Sequence, residues 1–394
     1  MLKLKFSHNL RKKKQVALFD ASGLSLFSKY IDQRDISIID VDRMNVFAVL
    51  RMLLSGKKSF FDYTIAYIKI FKPRFVFTFI DNNVDFYKLA KFFPEIKFIA
   101  IQNGLRANYA NQSGCGFFEV LQRESLKSEL SAHAICVFGK LSGDQYAKFI
   151  RSKQIITGSL KNNSIGEDIS TAPKFDIVLI SQHGPFQIPN SDVRFFFGNQ
   201  SFSAAEFYLI EQRVVNFLSK RAVRTNQSFA VLGKRTDANP FEREFFTSAA
   251  KPYPVQFFPR TSESSTYEFC KSASLIVTVD SAIGHEFLGR GKKVVFLSGR
   301  INAVNEDLSR KIHDTDFGYP LELGASGPFW TNDANESEFE RIIESVQTMT
   351  DVQWASAIRP YNDLLMAYQP GNSAFIQMLQ DEGIPMTDEG SQRA

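Results

Sequence analysis

Short apolar runs alternate along the chain with stretches in which apolar residues recur every three or four positions. This alternation predicts strands separated by amphipathic helices. Strands that are apolar along their whole length are typical of a parallel sheet covered by helices on both faces. In the first part of the chain the predicted strands are Gln15–Phe19, Ile36–Val41, Phe75–Ile80, Ile96–Ile101, Ala134–Phe138 and Gln154–Thr157, and the predicted helices include Phe61–Phe71, Val84–Phe93 and Gly143–Arg151.

A polar segment, Leu160–Lys174, interrupts this pattern, and its Gly, Pro and missing apolar period are typical of a linker. The alternation then resumes, with predicted strands Asp176–Ser181, Ser228–Leu232, Val255–Pro259, Leu275–Val279 and Lys293–Leu297 and predicted helices Ala204–Ala222, Glu336–Met349, Val352–Tyr368 and Ser373–Glu382. The sequence therefore predicts an α/β protein of two Rossmann-like domains, residues 1–165 and 166–394, whose parallel sheets face an interdomain cleft. The last helix is free in this scheme to pack back on the first domain.

The composition supports a globular protein of two domains. The 394 residues are 44% hydrophobic and 23% charged, and a single core stops growing at roughly 250–300 residues. The net charge of +5 is too small to suggest nucleic acid as the main partner. The cysteines Cys115, Cys136 and Cys270 are too widely spaced for a disulfide framework or a thiolate zinc site, and they suit a reducing compartment.

The first fifteen residues contain six Lys or Arg and no acidic residue, but the sequence that follows has no apolar core of a secretory signal. No stretch approaches the roughly 18 apolar residues of a membrane span. We therefore expect a cytoplasmic protein. The basic start leaves open a peripheral contact with the inner face of the cytoplasmic membrane, against the simpler interpretation of a solvated terminus.

Several familiar signatures are missing from the sequence. It has neither the GxxxxGK[ST] phosphate loop nor a GxGxxG after the first strand, and HEFLG at His285–Gly289 is not the HExxH of zinc proteases. Two DxD pairs, Asp40 with Asp42 and Asp314 with Asp316, are most simply solvated turns. We therefore predict no metal and no cofactor beyond a bound substrate.

The segment DSAIGHEFLGRGKKVVF is the most specific motif of the chain. A predicted strand ends before Asp280, and Ser281, Gly284 and Glu286 then lie in the first turns of a helix. A helix N-terminus with a hydroxyl binds anions, and a carboxylate one turn later can accept hydrogen bonds from ribose. The alternative is that Ser281 only caps the helix, although a spacing of five fits a capping box poorly. The motif predicts a nucleotide site.

Together with FIAIQNGLR, ITGSLKNN and GPFWTND, this segment resembles bacterial surface-polysaccharide glycosyltransferases of the GT-B fold, in particular the retaining β-Kdo transferase domains of O-antigen and capsule assembly. Similar enzymes carry a Ser/Thr-x-x-Gly-x-Glu element where Ser281, Gly284 and Glu286 stand. The resemblance implies a nucleotide-sugar donor, here CMP-Kdo, held by the second domain, a glycan or lipid-linked glycan acceptor held by the first, and no essential metal.

The segment GKRTD follows another predicted strand and places Lys234 and Arg235 beside Asp237. The two cations suit a phosphate or a sugar carboxylate, and the acid suits a base or a nucleophile. In the resemblance to the β-Kdo transferases, Asp237 matches the aspartate through which configuration is retained. The alternative interpretation is a surface turn in which Asp237 or Asn239 caps the following helix.

Other strand ends supply the remaining candidates. Many CMP-sugar transferases have a His-Pro pair where this chain has Phe258-Pro259-Arg260, so Arg260 would have to replace the imidazole there. His183, after the first strand of the second domain, is either the missing imidazole or a loop residue. The further donor-site candidates are Gly158 and Ser159. The acceptor-site candidates are Gln102, Asn103 and Arg106, with a plain turn as the alternative at Asn103.

Three functions remain open from the sequence. The first is transfer of a sugar, Kdo from CMP-Kdo, onto a surface glycan with retention. The second is a GT-B enzyme that uses a UDP-sugar or CDP-glycerol, or an epimerase of sugar nucleotides, for which the first domain offers only Asp20 and Asp81 as acids at its strand ends. The third is a non-enzymatic assembly module, which no nucleotide would stabilise.

Overall fold

The computed structural model describes residues 5–7, 14–106, 109–111, 116–166, 174–188, 190–197, 200–262, 264–308 and 323–387. Its strands are β1 (Lys5–Ser7), β2 (Val16–Leu18), β3 (Ile36–Ile38), β4 (Arg43–Asn45), β5 (Phe75–Thr78), β6 (Lys97–Ile101), β7 (Tyr109–Asn111), β8 (Leu130–Val137), β9 (Ile150–Ile156), β10 (Phe175–Ile180), β11 (Arg194–Phe197), β12 (Gln200–Ser203), β13 (Phe229–Leu232), β14 (Gln256–Phe258), β15 (Ala273–Thr278), β16 (Val294–Leu297) and β17 (Trp330–Thr331).

Helices lie between most of these strands. They are α1 (Leu24–Phe27), α2 (Val46–Leu54), α3 (Phe60–Phe71), α4 (Val84–Leu89), α5 (Phe117–Ser125), α6 (Lys140–Ala147), α7 (Leu160–Asn163), α8 (Ala204–Phe207), α9 (Leu209–Thr225), α10 (Pro240–Ala250), α11 (Ser265–Lys271), α12 (Ala282–Gly289), α13 (Arg300–Leu308), α14 (Glu336–Thr348), α15 (Asp351–Ile358), α16 (Asn362–Leu365) and α17 (Ser373–Asp381). No helix among the described residues is both long and apolar enough to cross a membrane.

The chain folds into two compact units. The first unit contains residues 1–104, 118–165 and 369–394, and the second contains residues 105–117 and 166–368. Compared with the predicted ranges 1–165 and 166–394, the units exchange two segments: residues 105–117 join the second unit and residues 369–394 join the first. Within the predicted linker, residues 160–163 form the short helix α7, because Ser159 caps its first turn through the N–H of Asn162.

The first unit is built on a parallel six-stranded sheet in the order β3-β2-β5-β6-β8-β9. Apolar side chains of α17, among them Phe375 and Leu379, pack into the core formed by strand residues such as Val16 and Phe77. The Asn372 side-chain amide donates to the Tyr30 hydroxyl at 2.7 Å just before this helix. The C-terminal helix is thus part of the first unit's core.

The second unit is built on a parallel six-stranded sheet in the order β14-β13-β10-β15-β16-β17, and a small antiparallel sheet β12-β11-β7 lies in the same unit. β10 reads FDIVLI, with all but Asp176 buried, as a strand covered on both faces requires. The prediction of two Rossmann-like domains with parallel sheets is therefore confirmed.

Two predicted helices have different bounds. The sequence predicts a helix over Gly143–Arg151, but α6 ends at Ala147 and β9 begins at Ile150, because the apolar residues of this range continue into the strand. The predicted helix Val352–Tyr368 is broken after Ile358, because Pro360 has no backbone N–H with which to continue the helical hydrogen bonds.

Candidate functional site

The candidate site is the edge of the second unit's sheet at which its parallel strands end. The carboxyl ends of parallel strands share one edge, and ligands of open α/β sheets bind there. The loops after β10, β13, β14 and β15 carry, in that order, His183, the Lys234-Arg235 pair, Arg260 and Ser281. All belong to the second unit, so its sheet brings these predicted donor-site residues to one edge.

A buried carboxylate shapes the loop after β13. Glu242, in the first turn of α10, is 1% exposed and accepts hydrogen bonds from the backbone N–H groups of Lys234 and Arg235, both at 2.8 Å. The Ser181 hydroxyl after β10 donates to the same carboxylate. Burial raises the pKa of Glu242, and the three donors oppose that rise. Sequence reasoning missed Glu242, because its partners lie seven and eight positions earlier in a folded-back turn.

The same loop brings positive charge to the sheet edge. Lys234 is exposed as a residue, and partial desolvation of its ammonium together with the adjacent Arg235 lowers its pKa. The charge of Asp280, which begins the loop after β15, opposes the shift and therefore lies within electrostatic reach. The Arg235 carbonyl accepts the backbone N–H of Arg260 at 2.8 Å, which ties the loops after β13 and β14 together.

His183 is fully buried at the same edge. Its ring packs at 4.6 Å from the ring of Phe245 and 4.9 Å from that of Tyr208, measured between centroids. Neither ring nitrogen has a hydrogen-bond partner within the described part of the chain. Burial lowers the pKa of His183 to about 4, although the Gly184 backbone opposes the shift, so the imidazole is neutral at pH 7. The ring has no exposed surface, so this structure does not bear out the prediction that His183 contacts the donor: the side chain packs against Phe245 and Tyr208 instead.

The motif after β15 forms the N-terminus of α12. Ser281 is the N-cap, and its hydroxyl accepts the N–H of Ile283 at 3.2 Å. A Cβ at Gly284 would lie 2.6 Å from the methyl of Thr278, so close packing of helix on strand already requires glycine there. Glu286 is 5% exposed and accepts a hydrogen bond from the Tyr267 hydroxyl at 2.6 Å. The cap at Ser281 and the close packing at Gly284 therefore stabilise α12 independently of any bound nucleotide.

A buried ion pair stands beside this motif, which sequence reasoning also missed. Arg300, in the first turn of α13 after β16, contacts the Glu211 carboxylate at 2.8 Å and Asp280 at 3.1 Å. Desolvation raises the pKa of the fully buried Glu211, and Arg300 opposes that rise. Ser298-Gly299-Arg300 follows a predicted strand, so reading this strand end like the others would have found Arg300.

Asp237 lies on the surface, with 67% of its side chain exposed, and its ion-pair partner is Arg243 of α10 at 2.9 Å. The sequence interpretation had assigned the neighbouring Lys234 and Arg235 to this carboxylate. The difference arises because the turn directs Asp237 towards the helix that follows it. A cation still flanks the carboxylate, but it comes from α10.

The other predicted residues follow strands of the first unit in the chain. Gly158, with φ of +66°, and Ser159 follow β9. Gln102 is buried and accepts the N–H of Phe138 at 2.8 Å, so its side chain fixes the sheet edge. The N–H of Asn103 donates to the buried carboxylate of Asp81 at 3.0 Å. Arg106 belongs to the second unit, with its guanidinium 5.7 Å from the ring centroid of Phe117.

The second unit also contains a cavity of about 850 Å³ between α9, α10 and α14, with Arg213 and Asn335 among its lining residues. None of the predicted site residues lines it. It meets the site at Phe245, whose ring packs on His183.

Solved structures show a similar fold at low sequence identity. A "putative UDP-N-acetylglucosamine 2-epimerase" from Listeria monocytogenes is 10% identical, with a TM-score of 0.52 over 95% of this chain and 96% of the other. HepE from Anabaena, solved with UDP and glucose, is 11% identical, with a TM-score of 0.50 over 96% of this chain and 100% of the other. At these identities the likeness establishes the GT-B-like fold. Among curated protein sequences, none matches this chain.

A sequence profile for a protein family matches residues 99–383, most of the chain. The match covers the second unit's sheet and the candidate site. The chain therefore belongs to the family described as "putative O-antigen biosynthesis protein".

Proposed function

We propose that the chain is a glycosyltransferase that moves a sugar from a nucleotide-sugar donor onto a bacterial surface glycan, with CMP-Kdo as the donor. The observation that carries the proposal is the cationic loop of Lys234 and Arg235, fixed by Glu242 at the sheet edge where α12 begins. Two cations and a helix N-terminus suit a donor with a phosphate and a sugar carboxylate. Membership of an O-antigen family supports a surface glycan as the acceptor.

In this proposal each group of the edge has a role. The Lys234 ammonium and the Arg235 and Arg260 guanidinium groups neutralise the donor's phosphate and carboxylate, and the positive end of α12 faces the departing CMP. Glu286 accepts hydrogen bonds from the ribose. The fully buried His183 supports the edge by packing on Phe245 and Tyr208. We assign the acceptor contacts to Asn103 and Arg106. Gln102 has a structural role beside them, because its buried side chain accepts the N–H of Phe138.

Retention of configuration requires two displacements. Asp237 attacks the anomeric carbon as the bond from that carbon to the CMP phosphate breaks, so that CMP leaves with the electron pair. The acceptor hydroxyl then displaces Asp237, and its proton passes to a base or to water. The Arg243 guanidinium lies 2.9 Å from the Asp237 carboxylate, and in this proposal that contact positions the nucleophile.

The acidic residues at the strand ends of the first unit favour a glycosyltransferase over an epimerase. An epimerase needs carboxylates free to exchange protons with the sugar. Asp81 is buried and accepts hydrogen bonds from the N–H of Asn103 and the hydroxyl of Tyr146. Asp20 accepts the Thr78 hydroxyl at 2.9 Å and the N–H of Ser22. Both acids therefore serve local structure.

The proposal is tested with purified protein, CMP-Kdo and mass spectrometry. The wild type should release CMP and form a glycosyl adduct on Asp237 when no acceptor is present. Asp237→Asn should lose transfer and the adduct but still bind CMP, whereas the surface control Asp351→Asn should behave like the wild type. Full activity of Asp237→Asn would refute the catalytic assignment. Release of nucleotide from UDP-sugars or CDP-glycerol, and none from CMP-Kdo, would replace the donor.

A further inference from the structure

The helix α2 in the first unit carries apolar side chains on its outer face. Leu54 is 89% exposed, Leu50 51%, Leu53 50% and Phe47 37%. These four, with Val41 just before, make up five of the nine large apolar side chains found exposed in the described residues. Large apolar groups scattered singly over a surface are ordinary, but a cluster marks an interaction site.

The exposed face is separate from the face by which α2 is held. Ala48 and Met52, one turn apart, are buried, while Phe47, Leu50 and Leu54 recur at spacings of three and four on the opposite side. Asn45 caps the helix by accepting the N–H of Phe47 at 3.0 Å, and its own N–H donates to the Tyr63 hydroxyl at 2.9 Å. The helix is therefore anchored independently of its apolar outer face.

Basic residues occur within α2 and on either side of it in the sequence. Residues 43–58 contain Arg43, Arg51, Lys57 and Lys58 and no acidic residue, and Arg51, Lys57 and Lys58 are exposed. The strand β1, from the basic first fifteen residues, pairs in parallel with β4 immediately before α2, with Lys5 opposite Arg43. The flanking acids are Asp42 and Asp62, and Asp62 pairs with Lys57 at 3.1 Å.

We infer that the outer face of α2, with the basic residues around it, binds the surface of an anionic phospholipid bilayer. A short helix with apolar residues on one face and Lys or Arg beside them lies in the bilayer interface, where apolar burial and attraction to anionic headgroups add. The basic residues favour an anionic bilayer over a second copy of the chain as the binding partner. A second copy that docked through the same face would bring like positive charges together. The inference is independent of the donor and the reaction proposed above.

Vesicle sedimentation of the full chain tests the inference. The wild type should sediment with vesicles of equal parts phosphatidylglycerol and phosphatidylcholine, and more weakly with phosphatidylcholine alone. The double substitution Leu50→Ser and Leu54→Ser should reduce binding by roughly tenfold or more. The matched control is Leu126→Ser with Val352→Ser, which removes side chains 85% and 80% exposed elsewhere and should leave binding unchanged.

The charge contribution is tested separately. Arg51→Gln with Lys58→Gln should weaken binding by roughly fivefold for each charge, and high salt should abolish the difference between this variant and the wild type. A wild type that ignores both vesicles, or binds them equally well, would overturn the inference. So would a wild-type dimer that Leu50→Ser with Leu54→Ser converts to monomer without any vesicle binding, because the occupant would then be a second copy.

Discussion

The carboxylate of Glu242 accepts the backbone N–H of Arg235 at 2.8 Å from a fully buried position beneath the loop. The carboxylate thereby fixes the backbone of the residues that we propose to bind the donor. Glu242 itself is not proposed to contact the donor. A helix residue thus sets the geometry of a loop that precedes it in the chain.

Replacing Glu242 by Ala should leave the part-buried backbone N–H groups of Lys234 and Arg235 without their acceptor. We expect a loss of roughly 1–3 kcal/mol in the free energy of unfolding and weaker nucleotide binding. Urea unfolding and calorimetric titration of the nucleotide measure the two effects. The exposed Glu344→Gln on α14 is the control. Unchanged affinity in a folded Glu242→Ala protein would show that the loop does not depend on this carboxylate.

The role of Glu286 can be separated from that of its partner Tyr267. Glu286→Gln should weaken nucleotide binding by roughly 1.5–3 kcal/mol, the range for a hydrogen bond to a charged group. Tyr267→Phe removes the 2.6 Å hydrogen bond but keeps the carboxylate, so it should lower stability and change affinity little. If both variants lose stability and neither loses affinity, Glu286 is a packing residue and not a ribose ligand.

A methyl group at Gly284 should be costly. Its Cβ would lie 2.6 Å from the Thr278 methyl and 3.2 Å from the Phe296 ring, so Gly284→Ala should destabilise the protein by roughly 1–3 kcal/mol. Gly143→Ala is a matched control within α6, where the nearest atom is 3.4 Å away, and it should be neutral or slightly stabilising. Equal midpoints of unfolding for the two variants would contradict the close packing of α12 on β15.

Two buried histidines make the free energy of unfolding depend on pH. Burial lowers the pKa of both His183 and His285 to about 4, below the value near 6.5 of an unfolded chain. Between these values the unfolded chain binds more protons, so stability falls as pH decreases from about 6.5 to 4, by roughly 1.4 kcal/mol per pH unit for each histidine.

Removal of one buried imidazole should therefore reduce that slope. The variant His183→Phe, among aromatic neighbours, should lose about half of the two-histidine contribution in urea melts between pH 7 and 5. His133→Gln, which removes an exposed imidazole paired with Glu382, serves as the control. Parallel curves for His183→Phe and the wild type would mean that His183 titrates normally in the folded protein.

Buried parallel strands could be predicted from the sequence because their apolar runs have few other uses. Phe75–Ile80 and Lys293–Leu297 correspond to β5 and β16 within two residues at each end. The helix α2 was not predicted, since VFAVLRMLL has apolar residues on its exposed face as well as on its buried one. The strand β11 has only four residues, and although β12 follows it closely in the chain, its pairing with β7 joins segments distant in sequence.

The candidate site, too, contains some residues that the sequence predicts and others that it does not. Strand ends mark the positions of Lys234 and Ser281, because the edge of a parallel sheet is fixed by its strands. Glu242 and the Glu211–Arg300 pair depend on contacts between elements 7 to 89 positions apart, which no local pattern records. The partner of Asp237 was assigned to its sequence neighbours, whereas the fold supplies Arg243.

Calorimetric titration of CMP, UDP, GDP and CDP against the wild type and against Lys234→Gln with Arg235→Gln tests the central claim most directly. CMP should bind best to the wild type, and the double variant should bind it at least roughly tenfold more weakly, while the surface control Arg359→Gln keeps wild-type affinity. If no nucleotide binds the wild type, or if the double variant binds CMP as tightly as the wild type does, the proposed donor site is wrong.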